Sequence, residues 1–188
     1  MKKSTNSVKT LAILRQKDIF PLQEEQKNIV YKNRLTGKAI VFDYENNIAL
    51  IGNRMNPFYL LPGGGIAENE SVENGIIREC LEETGCNVEL VDRVGIIEDY
   101  RARDRKHCIN YCYTAKIVGE KGKPKRIDNE IEIGMHTKWI DPKEALELFK
   151  KQKTLLDEGK IIFYNTGFNI LRDLIFLEEV IASTKIHE

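Results

Sequence analysis

The stretch Gly64–Cys86 reads G-G-I-A-E-N-E-S-V-E-N-G-I-I-R-E-C-L-E-E-T-G-C and sets Arg78, Glu79, Glu82 and Glu83 on one predicted helix. At about 3.6 residues per turn, positions 79, 82 and 83 fall within roughly 100° of arc. Three carboxylates crowded on one face repel one another, a cost that a divalent cation removes. Ser71 stands where a helix N-cap is favoured and Gly85 where a left-handed C-terminal turn is, so the helix is bounded at both ends. Ile76, Ile77, Cys80 and Leu81 supply its apolar side. A merely solvated acidic helix would account for Glu82 and Glu83, but not for Gly64, Glu70, Arg78 and Gly85 as well. Seven fixed positions, each at about 7% usage, recur by chance on the order of 10⁻⁸ per starting point.

The spacing from Gly64 through Glu70, Arg78-Glu79 and Glu82-Glu83 to Gly85 resembles the signature of the Nudix hydrolases. Cys80 and Cys86 stand where that family usually has a bulky aliphatic residue; a buried cysteine behaves as a small hydrophobe, so the match survives. The resemblance implies an α/β (α+β) fold, the Nudix-type α/β/α sandwich with a mixed sheet, in which the signature forms loop, helix and loop. It implies metal ligation by Glu79, Glu82 and Glu83, with the Gly63 carbonyl as an additional ligand. Hard oxygen donors of this kind select Mg²⁺, with Mn²⁺ as the substitute, and Mg²⁺ commonly joins few carboxylates to substrate phosphates. The implied reaction is hydrolysis of a phosphoanhydride. Arg78 then orients the carboxylates by bidentate pairing, with Glu70 as its partner, and Gly64 and Gly85 support the site. The general base is either Glu83 or a carboxylate of the loop before Trp139, Glu130 or Glu132.

The expected substrate is a nucleoside diphosphate linked to another group, X. The Pro62-Gly63-Gly64-Gly65 run resembles family members acting on nucleoside triphosphates or dinucleoside polyphosphates. The proline that often follows the signature in ADP-ribose-cleaving members has no counterpart among residues 87–123. ADP-ribose or sugar-nucleotide pyrophosphatase is the alternative, favoured by the extra N-terminal segment. A non-catalytic nucleotide sensor on the same fold is the reading of a different class, and the intact acidic cluster argues against it. Tyr100, Arg101 and Arg103 are the candidate substrate contacts, since arginines grip phosphates or stack on bases.

The rest of the chain sets bounds. With 29 basic and 29 acidic residues and no net charge, there is no global electrostatic case for DNA or an anionic membrane as partner. The apolar run Leu11–Leu14 is too short for a signal-peptide core or a membrane span. Four cysteines fit free thiols in a reducing compartment, so the expected location is the cytoplasm. The length of 188 residues fits one core with extensions: residues 1–37 as an N-terminal extension and first strand, 38–150 as the hydrolase domain, and 151–188 as a helical extension packed on it. The assembly is expected to be a monomer or a homodimer.

Apolar and β-branched runs predict strands over 29–35, 38–43 and 48–53, separated by turn chemistry at Thr36-Gly37 and at Glu45-Asn46-Asn47. Phe58–Leu61 reads as a short strand, and Val88–Asp99 and His107–Val118 as two longer ones. Asp141-Pro142 opens a further helix, and Phe168, Leu171, Leu174, Ile175, Leu177 and Ile181 mark a last one at helical spacing.

Overall fold

The computed structural model describes residues 8–23, 27–55, 57–125 and 131–184. Six strands form one mixed sheet: β1 (Thr10–Arg15), β2 (Lys32–Phe42), β3 (Ile48–Gly52), β4 (Asn87–Arg101), β5 (Lys106–Val118) and β6 (His136–Ile140). Their spatial order is β1-β4-β5-β2-β3-β6. β1 lies parallel to β4 and β2 parallel to β5; the pairs β4–β5, β2–β3 and β3–β6 are antiparallel. The helices that lie wholly within the described residues and bear on the core are α1 (Gln16–Ile19), α2 (Val72–Thr84), α3 (Pro142–Asp157) and α4 (Tyr164–Thr184).

Because strand side chains alternate, each central strand feeds two cores. Ala39 and Val41 of β2 join Ile76 and Cys80 of α2 in one buried cluster, while Ile40 joins Phe149 of α3 and Phe168, Ile170 and Phe176 of α4 in the other. The result is a sheet with α2 on one face and α1, α3 and α4 on the other, the expected α/β/α sandwich. All four cysteines are buried free thiols.

One turn expected from sequence is absent. Thr36 and Gly37 lie within β2, which pairs with β5 from Lys32↔Lys106 to Phe42↔Lys116 without interruption. Gly37 is there because α2 packs directly on it: a Cβ would fall 2.3 Å from Ile76 Cγ1. Thr36 is buried and its hydroxyl donates to Asn110 Oδ1 on the neighbouring strand. Turn-forming residue types therefore serve close packing here. Phe58–Leu61 forms only a single bridge, Ile51↔Leu60, instead of a strand.

Both later helices begin and pack as their sequences dictate. Asp141 caps α3 by accepting from Lys143 N–H and Glu144 N–H, with Pro142 in the first turn. α4 buries Phe168, Ile170, Leu174, Phe176 and Leu177, each contributing about 1.5–3 kcal/mol relative to exposure. That is ample to offset the desolvation of the buried Arg172–Asp173 ion pair in the middle of the same helix.

Candidate active site

After the bridge at Leu60 the chain turns along β2. Ala39 N–H donates to the Pro62 carbonyl at 3.1 Å, Gly37 N–H to the Gly64 carbonyl at 3.0 Å, and Ile66 N–H to the Leu35 carbonyl at 3.1 Å. Residues 62–66 are thus laid beside β2 as a short extra edge, and α2 follows directly. Ser71 Oγ accepts from Asn74 N–H at 3.1 Å to cap α2, and Gly85 closes it in the left-handed conformation, as the sequence leads one to expect.

The acidic face of α2 meets this loop. A Cβ on Gly64 would stand 2.6 Å from the Glu79 carboxylate, so glycine leaves room for it. Glu83 Oε2 accepts from Gly63 N–H at 2.7 Å. The Arg78 guanidinium donates through Nε and Nη2 to both oxygens of Glu70, at 2.9 and 3.0 Å, and through Nη1 to Glu79 at 2.8 Å and Glu82 at 3.2 Å. Its Nη2 also donates to the Gly65 carbonyl at 3.0 Å. One arginine therefore ties the loop to two of the three clustered carboxylates and holds them against their mutual repulsion. Hydrogen bonding to Glu70, then to Glu79, raises the Arg78 pKa further above its already high ordinary value.

The same fork holds the Glu70 carboxyl down at about 2, from an ordinary value of 4.5, with the Ala67 N–H helping. Since the folded-state pKa is the lower one, this stabilisation is complete above 4.5 and is lost as pH falls from there toward 2. Comparison of acid unfolding for the unsubstituted chain and Glu70→Gln is expected to show a stability gap that is constant near neutrality and closes across that window. A gap still at full size near pH 2 would contradict the ion pair.

Three clustered carboxylates with no nitrogen or sulfur donor suit a hard divalent cation. Among the described residues, no three His, Cys, Asp or Glu side chains converge as a finished cage. Glu79 and Glu82 are turned to Arg78, and Glu83 to the Gly63 amide. The Gly63 carbonyl accepts from Lys38 Nζ at 2.6 Å, and the Leu61 carbonyl takes the same ammonium at 2.9 Å. One carbonyl lone pair on Gly63 is thereby engaged. Burial lowers the Lys38 pKa, and the nearby Arg172 charge adds to the effect, while Asp173, Glu83 and Glu79 pull it back.

Of the candidate substrate contacts, only Arg101 comes to this end of the sheet. It is buried, donates to both oxygens of Asp99 at 2.6 and 3.2 Å, and reaches Asn165 and Asn169 of α4 at 3.1 and 2.9 Å. Tyr100 points the other way along the strand alternation and stacks on His107. Arg103 lies over the Tyr164 ring. Glu132 is exposed in the segment leading to β6; Glu130 lies outside the described residues.

The sequence reading passed over Lys38, Arg34, Asn110 and Arg172. Two signals were there to find: the polar alternation Arg34, Thr36, Lys38 leading into an otherwise apolar strand, and the charged pair Arg172-Asp173 inside an apolar helical face. Asp173 also fixes the loop, since its Oδ2 accepts from Leu61 N–H at 2.9 Å.

The NUDIX domain family matches residues 33–159. A protein of Bacillus subtilis named "Putative 8-oxo-dGTP diphosphatase" is 35% identical over 104 residues, which are 55% of this chain and 64% of that protein. A protein of Methanocaldococcus jannaschii named ADP-ribose pyrophosphatase is 27% identical over 151 residues, 78% of this chain and 81% of that protein. Among solved structures, the NUDIX hydrolase from Nitrosomonas europaea superposes with a TM-score of 0.52 at 19% identity, covering 62% of this chain and 78% of that one. This last likeness is one of fold.

Proposed function

The chain belongs to the Nudix family, and from that premise we propose that it is a pyrophosphohydrolase cleaving a phosphoanhydride of a nucleoside diphosphate linked to another group. The family generally uses divalent metal ions and acts on small nucleotide substrates. We assign Mg²⁺ to this chain, with Mn²⁺ able to replace it, held by Glu79, Glu82 and Glu83 and by the remaining lone pair of the Gly63 carbonyl. The observation that carries the reading is the convergence of these three carboxylates at the Gly63-Gly64 loop, Glu79 and Glu82 gripped by Arg78 and Glu83 held by the Gly63 N–H. When bound, the cation supplies charge neutralisation for the phosphoanhydride oxygens.

The residues of the chain do the rest. Glu83 takes the proton of the attacking water, as general base; the Gly63 N–H holds its carboxylate at the loop. Glu132 and Glu130, from the segment before β6, are the alternatives for that proton. Arg78 and Glu70 keep the carboxylates and the loop in register. Arg101, paired with Asp99, lines a pocket together with Gly63 and Gly64. A pocket of about 220 Å³ reaches from Glu83 and Lys38 past Phe58, Leu60 and Met135, and its apolar wall suits a nucleoside.

A nucleoside triphosphate is the favoured class, in line with the name of the Bacillus subtilis relative, of which this chain spans 64%. ADP-ribose is the second reading, because the Methanocaldococcus jannaschii relative named for it is spanned over 81% of its length. The test is product release with Mg²⁺ from nucleoside triphosphates, dinucleoside polyphosphates, ADP-ribose and nucleotide sugars, with and without a chelator. Turnover of one class, abolished by the chelator, is the expected result, and a pH profile of Glu83→Gln in the same assay tests the base. Saturable nucleotide binding without turnover of any compound would overturn the hydrolase reading in favour of a sensor.

A further inference from the structure

On the α4 side of the Gly63-Gly64 loop lies a cavity of about 230 Å³, lined by Arg34, Lys38, Arg101, Lys106 and Arg172 together with polar residues of α4. Five basic side chains crowd this space; Glu79 and Glu83 act on Lys38 from the neighbouring loop, but only two of the five have a directly paired carboxylate. Asp99 pairs with Arg101 and Asp173 with Arg172. Arg34 and Lys106 have no ion pair among the described residues, and Lys38 donates to two backbone carbonyls.

Arg172 supplies a second, independent sign. Its side chain is only 3% exposed and is locked in place: Nε donates to Asp173 at 2.7 Å, and Nη1 to Asn110 at 3.2 Å and Asn169 at 3.1 Å. Nη2 is buried and has no hydrogen-bond partner among the described residues. A buried donor left without an acceptor carries the cost of its desolvation uncompensated unless something meets it. Packing alone does not explain the arrangement, since an apolar side chain would anchor α4 without that cost. An anion in the cavity would satisfy Nη2 and relieve the repulsion among the surrounding cations at once.

We propose that this cavity is a phosphoryl subsite: it seats a phosphate group of the substrate other than the two joined by the bond that is cleaved. The substrate class is thereby narrowed to compounds whose X group ends in, or carries, a free phosphate, in preference to X groups that are neutral sugars. The proposal rests on the hydrolase reading for the word substrate, and on the cavity alone for the binding of phosphate. Arg172, Asn165 and Asn169 come from α4, beyond the residues 33–159 matched by the family, so this selectivity is a property of the chain's own extension.

Two measurements test it on the full chain. Inorganic tripolyphosphate, titrated without metal by calorimetry, is expected to bind one to one and to lose about tenfold in affinity in Lys106→Ala and in Arg34→Ala, as removal of one charged contact implies. Both positions reach solvent, so these variants fold even where Arg172→Gln does not. In turnover, a matched pair is compared: a nucleoside diphosphate sugar, and the same compound with a phosphate monoester on the sugar. Lys106→Ala is expected to raise KM about tenfold for the phosphorylated member and to leave kcat for both, and KM for the neutral one, unchanged. Equal effects on both members, or tripolyphosphate binding indifferent to both substitutions, would overturn the proposal while leaving the hydrolase standing. Absence of all turnover with tripolyphosphate binding lost in the variants would remove the hydrolase reading and keep the phosphate site.

Discussion

Glu82→Gln is expected to fold like the unsubstituted chain and to turn over its substrate about 10²–10³-fold more slowly, a loss of about 3–4 kcal/mol in the transition state. The two halves of this expectation come from different features of one side chain. Glu82 is 44% exposed, and its bond to Arg78 spans 3.2 Å on the surface of α2. A surface pair of that kind contributes about 0–1 kcal/mol, and its removal also relieves repulsion from Glu79 and Glu83. Chemical unfolding of the variant should therefore differ little from that of the parent. As one of three proposed ligands, however, Glu82 is hard to spare, because a neutral amide gives a divalent cation a weaker donor and leaves the site one charge short. Mn²⁺ affinity, followed by electron paramagnetic resonance, should drop together with kcat. Full turnover and unchanged Mn²⁺ affinity would remove Glu82 from the metal site.

Gly63→Ala is expected to act on the fold itself, lowering stability by about 2–6 kcal/mol. Gly63 adopts φ of +124°, and a Cβ there would lie 2.1 Å from the Gly37 carbonyl oxygen and 3.0 Å from Lys38 Cα. Backbone strain of this kind costs about 1–3 kcal/mol, and forcing an atom into a packed space adds about 1–3 kcal/mol. The atoms it meets are backbone of the central strand β2, which cannot turn aside as a side chain can. Gly119→Ala provides the comparison: its φ is +76° and nothing stands within 4 Å of the added carbon, so only the left-handed strain of about 1–2 kcal/mol remains. Denaturant unfolding of the two variants separates clash from strain. Equal losses in both would mean that the loop is not pressed against β2. Whatever Gly63→Ala protein does fold should also have lost the Gly63 N–H to Glu83 contact, and with it turnover.

What could be read ahead of the structure followed the range of the interactions. The α2 caps and the acidic face lie within 15 residues of chain, where spacing decides which side chains meet, and the Arg78–Glu70 partnership followed from the resemblance to the Nudix signature. The strands of the β4–β5 hairpin were visible for the same reason. Thr36 and Gly37 were misread because their neighbours, Asn110 and Ile76, are distant in sequence, and residue type without those neighbours points to a turn. Lys38 was invisible as a site residue for a related cause: a lysine entering an apolar strand gives no hint of the two carbonyls, 23 and 25 residues on, that receive it. Arg172 and Asp173 interrupt an apolar helix, and that interruption was the available clue. Its meaning depended on Leu61, Asn110 and Arg101 arriving from three other segments.

The hydrogen bond from Leu61 N–H to Asp173 gives the chain a timetable. Synthesis runs from the N-terminus and domains take shape as they emerge, so the glycine loop and α2 leave the ribosome well before α4 does. Until α4 follows, the loop lacks its tether, the cation-lined cavity lacks Arg172, and the apolar face of the sheet under Phe168 and Phe176 stands uncovered. A nascent chain that already carries every residue of the acidic signature is thus still unfinished as a catalyst. The tether of the loop and the cover of the core arrive together, with α4.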